Sequence, residues 1–281
     1  MQAMSGRLTL VGTPIGNLSD FSPRAIEALQ NADVIAAEDT RVTLKLLNHF
    51  GIKKPLVSYF EHNKQLRAEP LLQRLEAGEQ VVLVSDAGMP AISDPGEDLV
   101  NECHRRGIAV GVVPSATAMA TAVAVSGLPS GRFTFEGFLS VTTRTRREHL
   151  DSLRNERRTM VFYEAPHKLL RTLEDLADTF GQDRPITVVR ELTKLHEEIL
   201  PTTLGGALAH FQQTPPKGEF VLVVGGAAEE QPQEISLEEA VERARGYMDE
   251  GMRAADAAKR SALETGCRKG EIYKHLVGKE D

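Results

Sequence analysis

Strand-length apolar runs recur along this chain with helical stretches between them, and that alternation constrains the fold more than any other feature. Residues 8–11 read as a strand followed by a helix at 22–30, where Ser22 suits the N-cap and Pro23 the first turn. The pattern repeats: strand 34–37 and helix 42–49, strand 56–59 and helix 64–76, strand 81–85 and helix 95–105, strand 110–113 and helix 116–126. Strands alternating with helices predict a mostly parallel sheet covered on both faces. A Gly/Pro-rich turn at 127–131 interrupts the series, and a second α/β unit follows. Its predicted strands are 132–137, 159–163, 186–190 and 220–224, with helices at 147–154, 168–179 and 204–213. Residues 225–234 read as a linker, and 236–277 as helical, opened by a Ser236/Glu239 capping box and broken at Gly266. The predicted domains are 1–126, 127–228 and 236–281, the first two α/β and the last a helical tail.

In parallel sheets ligands gather at the carboxyl ends of strands. Four segments of the first unit run from an apolar strand straight into small and polar residues there. The first holds Gly12, Pro14 and Gly16, where a backbone without bulky side chains can approach a ligand. It is not the GxGxxG fingerprint of a nicotinamide-binding turn. The second, Glu38, Asp39, Thr40 and Arg41, crowds charge at a strand end. The third is the most distinctive. After the buried-type strand ending at Val84 come Ser85, Asp86, Gly88, Met89, Pro90, Asp94, Pro95 and Gly96. Asp86 is placed to accept hydrogen bonds from a ligand, whereas Asp94 before Pro95 reads as an N-cap. The fourth, residues 113–122, opens a helix with the small residues Ser115, Ala116, Thr117 and Ala118. In the second unit Glu164, Arg190, Glu191, Lys194 and Gly218 sit at comparable junctions, and His167 reads as a surface helix residue.

No apolar run approaches the ~20 residues of a membrane-spanning helix, and residues 1–7 carry no signal segment, so a soluble cytoplasmic chain is expected. Two distant cysteines, Cys103 and Cys267, predict neither a disulfide framework nor a zinc site; both read as inert and helical. The net charge of −7 argues against non-specific coating of nucleic acid. Two stretches are nonetheless basic: residues 142–158 and 253–275 each place six Lys/Arg against three acids. Each is either a solvated helix face or a phosphate-contacting patch.

These motifs, in order across residues 8–225, resemble the ribosomal RNA small subunit methyltransferase I family of the tetrapyrrole-methylase superfamily. The segments that carry the resemblance are residues 11–18, 37–41, 85–88 with 94–96, 126–129, 135–139, 163–167 and 190–194. The tail is similar through residues 256–259 and 265–266 with Lys269 and Tyr273. The resemblance implies two α/β domains of the tetrapyrrole-methylase type with a cofactor cleft between them, plus the small helical segment. It implies S-adenosylmethionine as cofactor, 16S rRNA as partner within the small ribosomal subunit, a cytidine 2′-hydroxyl in the decoding region as acceptor, and a homodimer. Carried onto this chain, Pro14, Gly16, Val84, Ser85, Asp86, Met89, Thr117, Ala118, Glu164 and Gly218 bind the cofactor.

The ionisable residues at strand ends, Glu38, Asp39, Arg41, Glu164, Arg190, Glu191 and Lys194, are expected on the RNA side, one carboxylate serving as base. No metal is implied. One departure stands out: the family's Pro-Gly-Pro-Ser-Ala before the helix reads Pro114, Ser115, Ala116, Thr117, Ala118 here. Thr117 still offers a hydroxyl. The competing readings are a tetrapyrrole or protein methyltransferase of the same superfamily, and a non-catalytic RNA-binding protein that kept the fold. Cofactor binding separates the last from the others.

Overall fold

The computed structural model describes residues 6–228 and 235–278. Contacts divide the chain into two compact units at Ala227/Ala228. Both sheets lie in the first.

The first sheet contains β1 (Arg7–Val11), β2 (Val34–Ala37), β3 (Leu56–Ser58), β4 (Gln80–Val84) and β5 (Ala109–Val113) in the order β3-β2-β4-β1-β5. Every neighbouring pair is parallel. The helices between them are α1 (Pro23–Asn31), α2 (Thr40–His49), α3 (Lys64–Glu76) and α4 (Glu97–Arg105), with α5 (Ala118–Val125) after the last strand. Strand β4 shows why the sheet is covered on both sides. Val82 and Val84 pack with Leu29, Ile35 and Leu47, while Val81 and Leu83 pack with Leu71, Leu75 and Leu99. A strand buried on both faces has no polar alternation, which is why it reads as one apolar run. Ser22 caps α1 as expected, its side chain accepting from the Ala25 N–H.

The second sheet contains β6 (Phe133–Phe138), β7 (Thr159–Glu164), β8 (Pro185–Arg190), β9 (Glu198–Thr203) and β10 (Phe220–Val224) in the order β6-β7-β10-β8-β9. Only β6 and β7 run parallel; the other pairs are antiparallel. Helices α6 (Thr143–Ser152), α7 (Leu169–Phe180) and α8 (Leu204–Gln213) accompany it. The sequence reading missed β9 and began α6 four residues late. Strand β9 is an edge strand whose exposure alternates along its length, and Pro201 is tolerated there because an edge leaves one row of N–H groups unpaired. One face of this sheet packs Phe162, Leu222 and Val188 against Leu173 and Leu176 of α7. The other packs Val161, Val189, Val221 and Val223 against Ala122 and Val123 of α5 and Ile15 of the β1 loop. Helix α5 is apolar along its length, with Ala122 and Val123 buried against the second sheet and Ala120, Ala124 and Val125 exposed.

Within the arginine-rich stretch the arginines differ in their surroundings. Arg146 is buried and pairs with Asp175. Arg144, Arg154 and Arg158 pair with Glu148, Asp151 and Glu156.

The second unit holds α9 (Leu237–Asp249), α10 (Ala254–Thr265) and α11 (Lys269–Val277) around Ala240, Ala244, Ala257, Ala258 and Ile272. The Ser236/Glu239 capping box forms, and Gly266 closes α10 in a left-handed conformation. Cys103 is buried in α4, whereas Cys267 lies in the turn before α11 rather than in a helix. Of the predicted linker, residues 229–234 lie outside the described residues. No described helix is long and apolar enough to cross a membrane.

Candidate active site

The loops after β1, β2, β4 and β5 are fastened to one another. Thr13 and Gly88 exchange backbone hydrogen bonds of 2.8 and 3.1 Å, and the Thr13 hydroxyl donates to the Ser85 carbonyl. Ser115 Oγ donates to the Thr13 carbonyl at 3.3 Å. The β2 and β4 loops meet through Asp86, whose Oδ1 accepts from the Asp39 N–H at 3.0 Å, while its own N–H donates to Glu38 Oε2 at 3.4 Å. Gly12 permits this convergence: a Cβ there would stand 2.5 Å from Ser115 Cβ and 2.6 Å from Met89 Sδ.

A cavity of about 580 Å³ opens beside these loops and reaches the second sheet. Ile15, Val189, Leu192, Phe220 and Val221 give it apolar walls. Glu38, Asp86, Met89, Thr117, Ala118 and Glu164, all expected at the site, line it. Thr117 is the N-cap of α5, yet its side chain makes no capping hydrogen bond, which leaves the hydroxyl for a ligand. Asp94 lines the cavity too, which corrects its reading as an N-cap: α4 starts at Glu97 with Gly96 as cap. Ala91 and Ser93, with φ of 66° and 64°, take the intervening turn through left-handed backbone. For residues bearing a Cβ that conformation costs ~1–3 kcal/mol each, and such strain concentrates at functional sites.

The acids feel each other. Burial raises the Glu38 pKa above its ordinary value, and the neighbouring Asp86 carboxylate adds to the rise. Burial also raises Asp86, with Asp39 contributing. Asp94 is pushed to about 6, first by burial and then by Glu38. Among the described residues, no lysine or arginine lines the cavity. The arrangement therefore suits a positively charged ligand with a flat apolar portion.

Other expected site residues lie elsewhere. Asp39 holds Arg41 through both carboxylate oxygens, and those bonds drop its pKa to about 2. Pro14, Gly16 and Ser85 line a second, smaller cavity, and Val84 belongs to the core of the first sheet. Glu164 reaches the main cavity with both oxygens engaged, one by the Ala165 N–H and the other by the Thr172 hydroxyl. Arg190 donates to the Lys217 carbonyl and pairs with Glu198. Lys194 bridges Glu191 and Glu219, and Glu191 also accepts from the Glu219 N–H. Gly218, at φ 86°, packs so closely on the Glu191 side chain that no Cβ fits.

Sequence reasoning missed Phe138, Tyr163 and the apolar walls, and placed His167 on a helix surface. His167 is exposed, but on a short 3-10 turn that lines the cavity. Strand alternation carries no mark that separates a wall residue from a core residue.

A family model of the Tetrapyrrole (Corrin/Porphyrin) Methylases matches residues 7–208. The ribosomal RNA small subunit methyltransferase I of Synechocystis sp. is 49% identical over 268 residues, covering 95% of this chain and 96% of that one. Its namesake from Escherichia coli O157:H7 is 42% identical over 274 residues, covering 97% and 95%. The chain belongs to the ribosomal RNA small subunit methyltransferase I family of tetrapyrrole methylases. As a member of that family it is a methyltransferase. Solved tetrapyrrole-methylase folds superimpose on it. Cobalt precorrin-4 methyltransferase gives a TM-score of 0.58 at 19% identity, covering 79% of this chain and 95% of that one. Diphthine synthase gives 0.60 at 16%, covering 79% and 90%. At these identities the likeness is one of fold alone.

Proposed function

We propose that this methyltransferase uses S-adenosylmethionine to methylate the ribose 2′-hydroxyl of a cytidine in the decoding region of 16S rRNA. The observation that carries the cofactor assignment is the sign of the cavity: Glu38, Asp86 and Asp94 line it, and no described lysine or arginine does. A cofactor with a sulfonium and an ammonium against one carboxylate is a net cation, and a low-dielectric acidic cleft concentrates it. The volume falls within the range of ~300–1,000 Å³ usual for small-molecule sites. The fit extends to the walls, where Ile15, Val189 and Val221 can cover an adenine face and the Thr117 hydroxyl remains available. The rRNA assignment is supported by the relatives' names together with their near-complete coverage of this chain.

When bound, the cofactor supplies a methyl carbon on positively charged sulfur, open to in-line displacement. The residues here hold the reactants for it. Met89, Thr117 and Ala118 fix one side of the cavity, and positioning of this kind contributes ~7–11 kcal/mol to lowering a barrier. Glu38 is our choice of base, because it lines the cavity with a carboxylate whose proton affinity is raised. With the cofactor bound, Glu38 would accept the proton of the ribose hydroxyl as its oxygen displaces the sulfur, which would leave as a neutral thioether, a contribution of ~10²–10⁴-fold. Asp39 with Arg41, Glu164, and the Arg190, Glu191 and Lys194 group support the surrounding loops. In the helical unit, Lys259, Arg268, Lys269 and Lys274 make no ion pair with any described residue and are proposed to meet phosphates. A cytoplasmic homodimer belongs to the same proposal.

The test is incubation with radiolabelled S-adenosylmethionine and small ribosomal subunits that lack the modification. Label on a cytidine ribose of 16S rRNA is expected. Cofactor binding without rRNA labelling would move the substrate to a tetrapyrrole or a protein, and absence of cofactor binding would overturn the enzyme reading.

A further inference from the structure

A second cavity, of about 250 Å³, shares Asp86 with the cofactor cavity. Pro14, Leu18, Val42 and Leu46 supply apolar walls. Leu18 and Val42 are notably exposed for apolar residues, at 43% and 38%. Its polar members are of three kinds. Asp86 presents a carboxylate, of which only Oδ1 is held by a described partner. Lys45 on α2 is exposed and makes no ion pair with any described residue. Thr43 lines the same wall, only 3% exposed, and its hydroxyl is buried without a hydrogen-bond partner among the described residues. A sealed, unpartnered hydroxyl costs ~1–3 kcal/mol, and a ligand that hydrogen-bonds to it recovers that cost.

The size and chemistry of the walls limit the occupant. The space is less than half that of the first cavity, and its apolar members can cover the faces of one flat ring. An acceptor, a cationic donor and a hydroxyl match the edge of a ring that bears an amine and a carbonyl on either side of an accepting ring nitrogen. Because Asp86 belongs to both walls, a nucleoside whose base sits in the second cavity has its ribose directed towards the first. Building on the function proposed above, we infer that the second cavity is the base pocket for the target pyrimidine, with Thr43, Lys45 and Asp86 selecting cytosine over uracil. The first cavity then holds the methyl donor, and the shared wall is where acceptor and donor meet.

The test uses the full-length enzyme with small ribosomal subunits bearing either cytidine or uridine at the target position. Wild type is expected to prefer cytidine by about tenfold or more, the worth of a hydrogen bond to a charged group. Thr43→Val and Lys45→Met are expected to keep cofactor affinity by calorimetry, raise KM for the subunit about tenfold and bring the cytidine-to-uridine ratio close to one. Thr43→Ser should restore the ratio. As a readout independent of variant folding, 4-thiouridine at the target should crosslink within residues 13–18 or 42–46. If wild type methylates 16S rRNA but shows no preference, or the variants lose only kcat with the ratio intact, or the crosslink falls elsewhere, the base pocket is overturned while the function stands. If wild type binds cofactor and labels no rRNA, both fall together.

Discussion

The Tyr163 hydroxyl, carried at the end of β7 in the second sheet, accepts a hydrogen bond of 3.0 Å from the backbone N–H of Met119 in the first turn of α5. The first N–H groups of a helix have no partner within it, so a side chain of one sheet completes a helix that follows the other. The same ring packs edge-on against Phe135 and Phe138. Tyr163→Phe keeps the ring and removes the acceptor. A loss of ~1–3 kcal/mol in unfolding free energy is expected, together with weaker cofactor binding, because Thr117 and Ala118 sit on the turn that is released. Denaturant titration and calorimetry on the same samples check both; unchanged stability would show that water replaces the hydroxyl.

Much of this architecture was legible in the sequence because burial and period coincide. Strand β4 is apolar throughout since both its faces are covered, and Ser22 and Ser236 announce their helices by chemistry that only a cap requires. Edge strand β9 was not legible, because alternation interrupted by Pro201 resembles a loop. At the site, Asp86 stood out as charge immediately after a buried strand. Asp94 did not, since Asp-Pro before a helix has a simpler local explanation, and only the left-handed turn at Ala91 and Ser93 brings it to the cavity. Arg190 and Lys194 looked alike in sequence to residues facing a ligand. Their ion pairs with Glu198, Glu191 and Glu219 depend on long-range placement that local pattern does not encode.

Asp94 gives the fold a pH dependence of defined sign. Its pKa is about 6 in the folded chain against an ordinary value of 3.8. The native state therefore holds the proton more tightly than the unfolded state, so stability is greatest below pH 4 for this group and falls as pH rises towards and through 6. Asp94→Asn removes the charge. It is expected to raise stability at pH 7–8 by about 1–2 kcal/mol, after discounting for the solvent that screens a partly exposed carboxyl, and to flatten the slope between pH 4 and 6. Chemical denaturation across that range measures it. An unaltered slope would mean that Asp94 is not the group responsible.

Gly12 and Ser115 form a pair that can be tested as one unit. An alanine Cβ at position 12 would collide with Ser115 Cβ at 2.5 Å, and Met89 Sδ at 2.6 Å is the softer obstacle. Gly12→Ala should cost ~1–3 kcal/mol, as overpacking does, and should weaken cofactor binding by displacing Met89. Ser115→Gly alone loses the hydrogen bond to the Thr13 carbonyl and adds backbone freedom to the unfolded chain. The double variant Gly12→Ala/Ser115→Gly should recover part of the loss, with a favourable coupling in a double-mutant cycle. Additive effects would show that the two residues do not compete for the same space.

Arg146 separates structure from RNA contact within the basic stretch. It is 2% exposed and pairs with Asp175, so Arg146→Ala leaves a carboxylate in a partly buried position. A loss of ~3 kcal/mol is expected, at the low end for a broken buried pair because Asp175 keeps some solvent. Removing a phosphate contact instead would reduce the salt dependence of RNA affinity by about one unit of slope. Arg146→Ala should leave that slope unchanged, whereas replacing Lys269 and Lys274 by alanine should lower it without affecting the stability of the first unit. Measurement of affinity against salt concentration distinguishes the two. A reduced slope for Arg146→Ala would place that side chain on the RNA.

Glu38→Gln tests the proposed base. The amide keeps the shape and loses the proton affinity, so kcat should fall ~10²–10⁴-fold. Cofactor affinity should weaken only modestly, since Asp86 and Asp94 still line the cavity. A base works unprotonated, so wild-type kcat should rise with pH through the Glu38 pKa. Burial and Asp86 hold that pKa above the ordinary carboxylate value, which shifts the acid limb to higher pH than a solvent-exposed glutamate would give. Asp86→Asn removes the second of those causes and should move the limb back towards lower pH, an effect on the profile that mere loss of a loop contact would not produce. A Glu38→Gln enzyme with wild-type kcat would transfer the proton to another group, and the pH profiles of Asp86→Asn and Asp94→Asn would then show which carboxylate carries it.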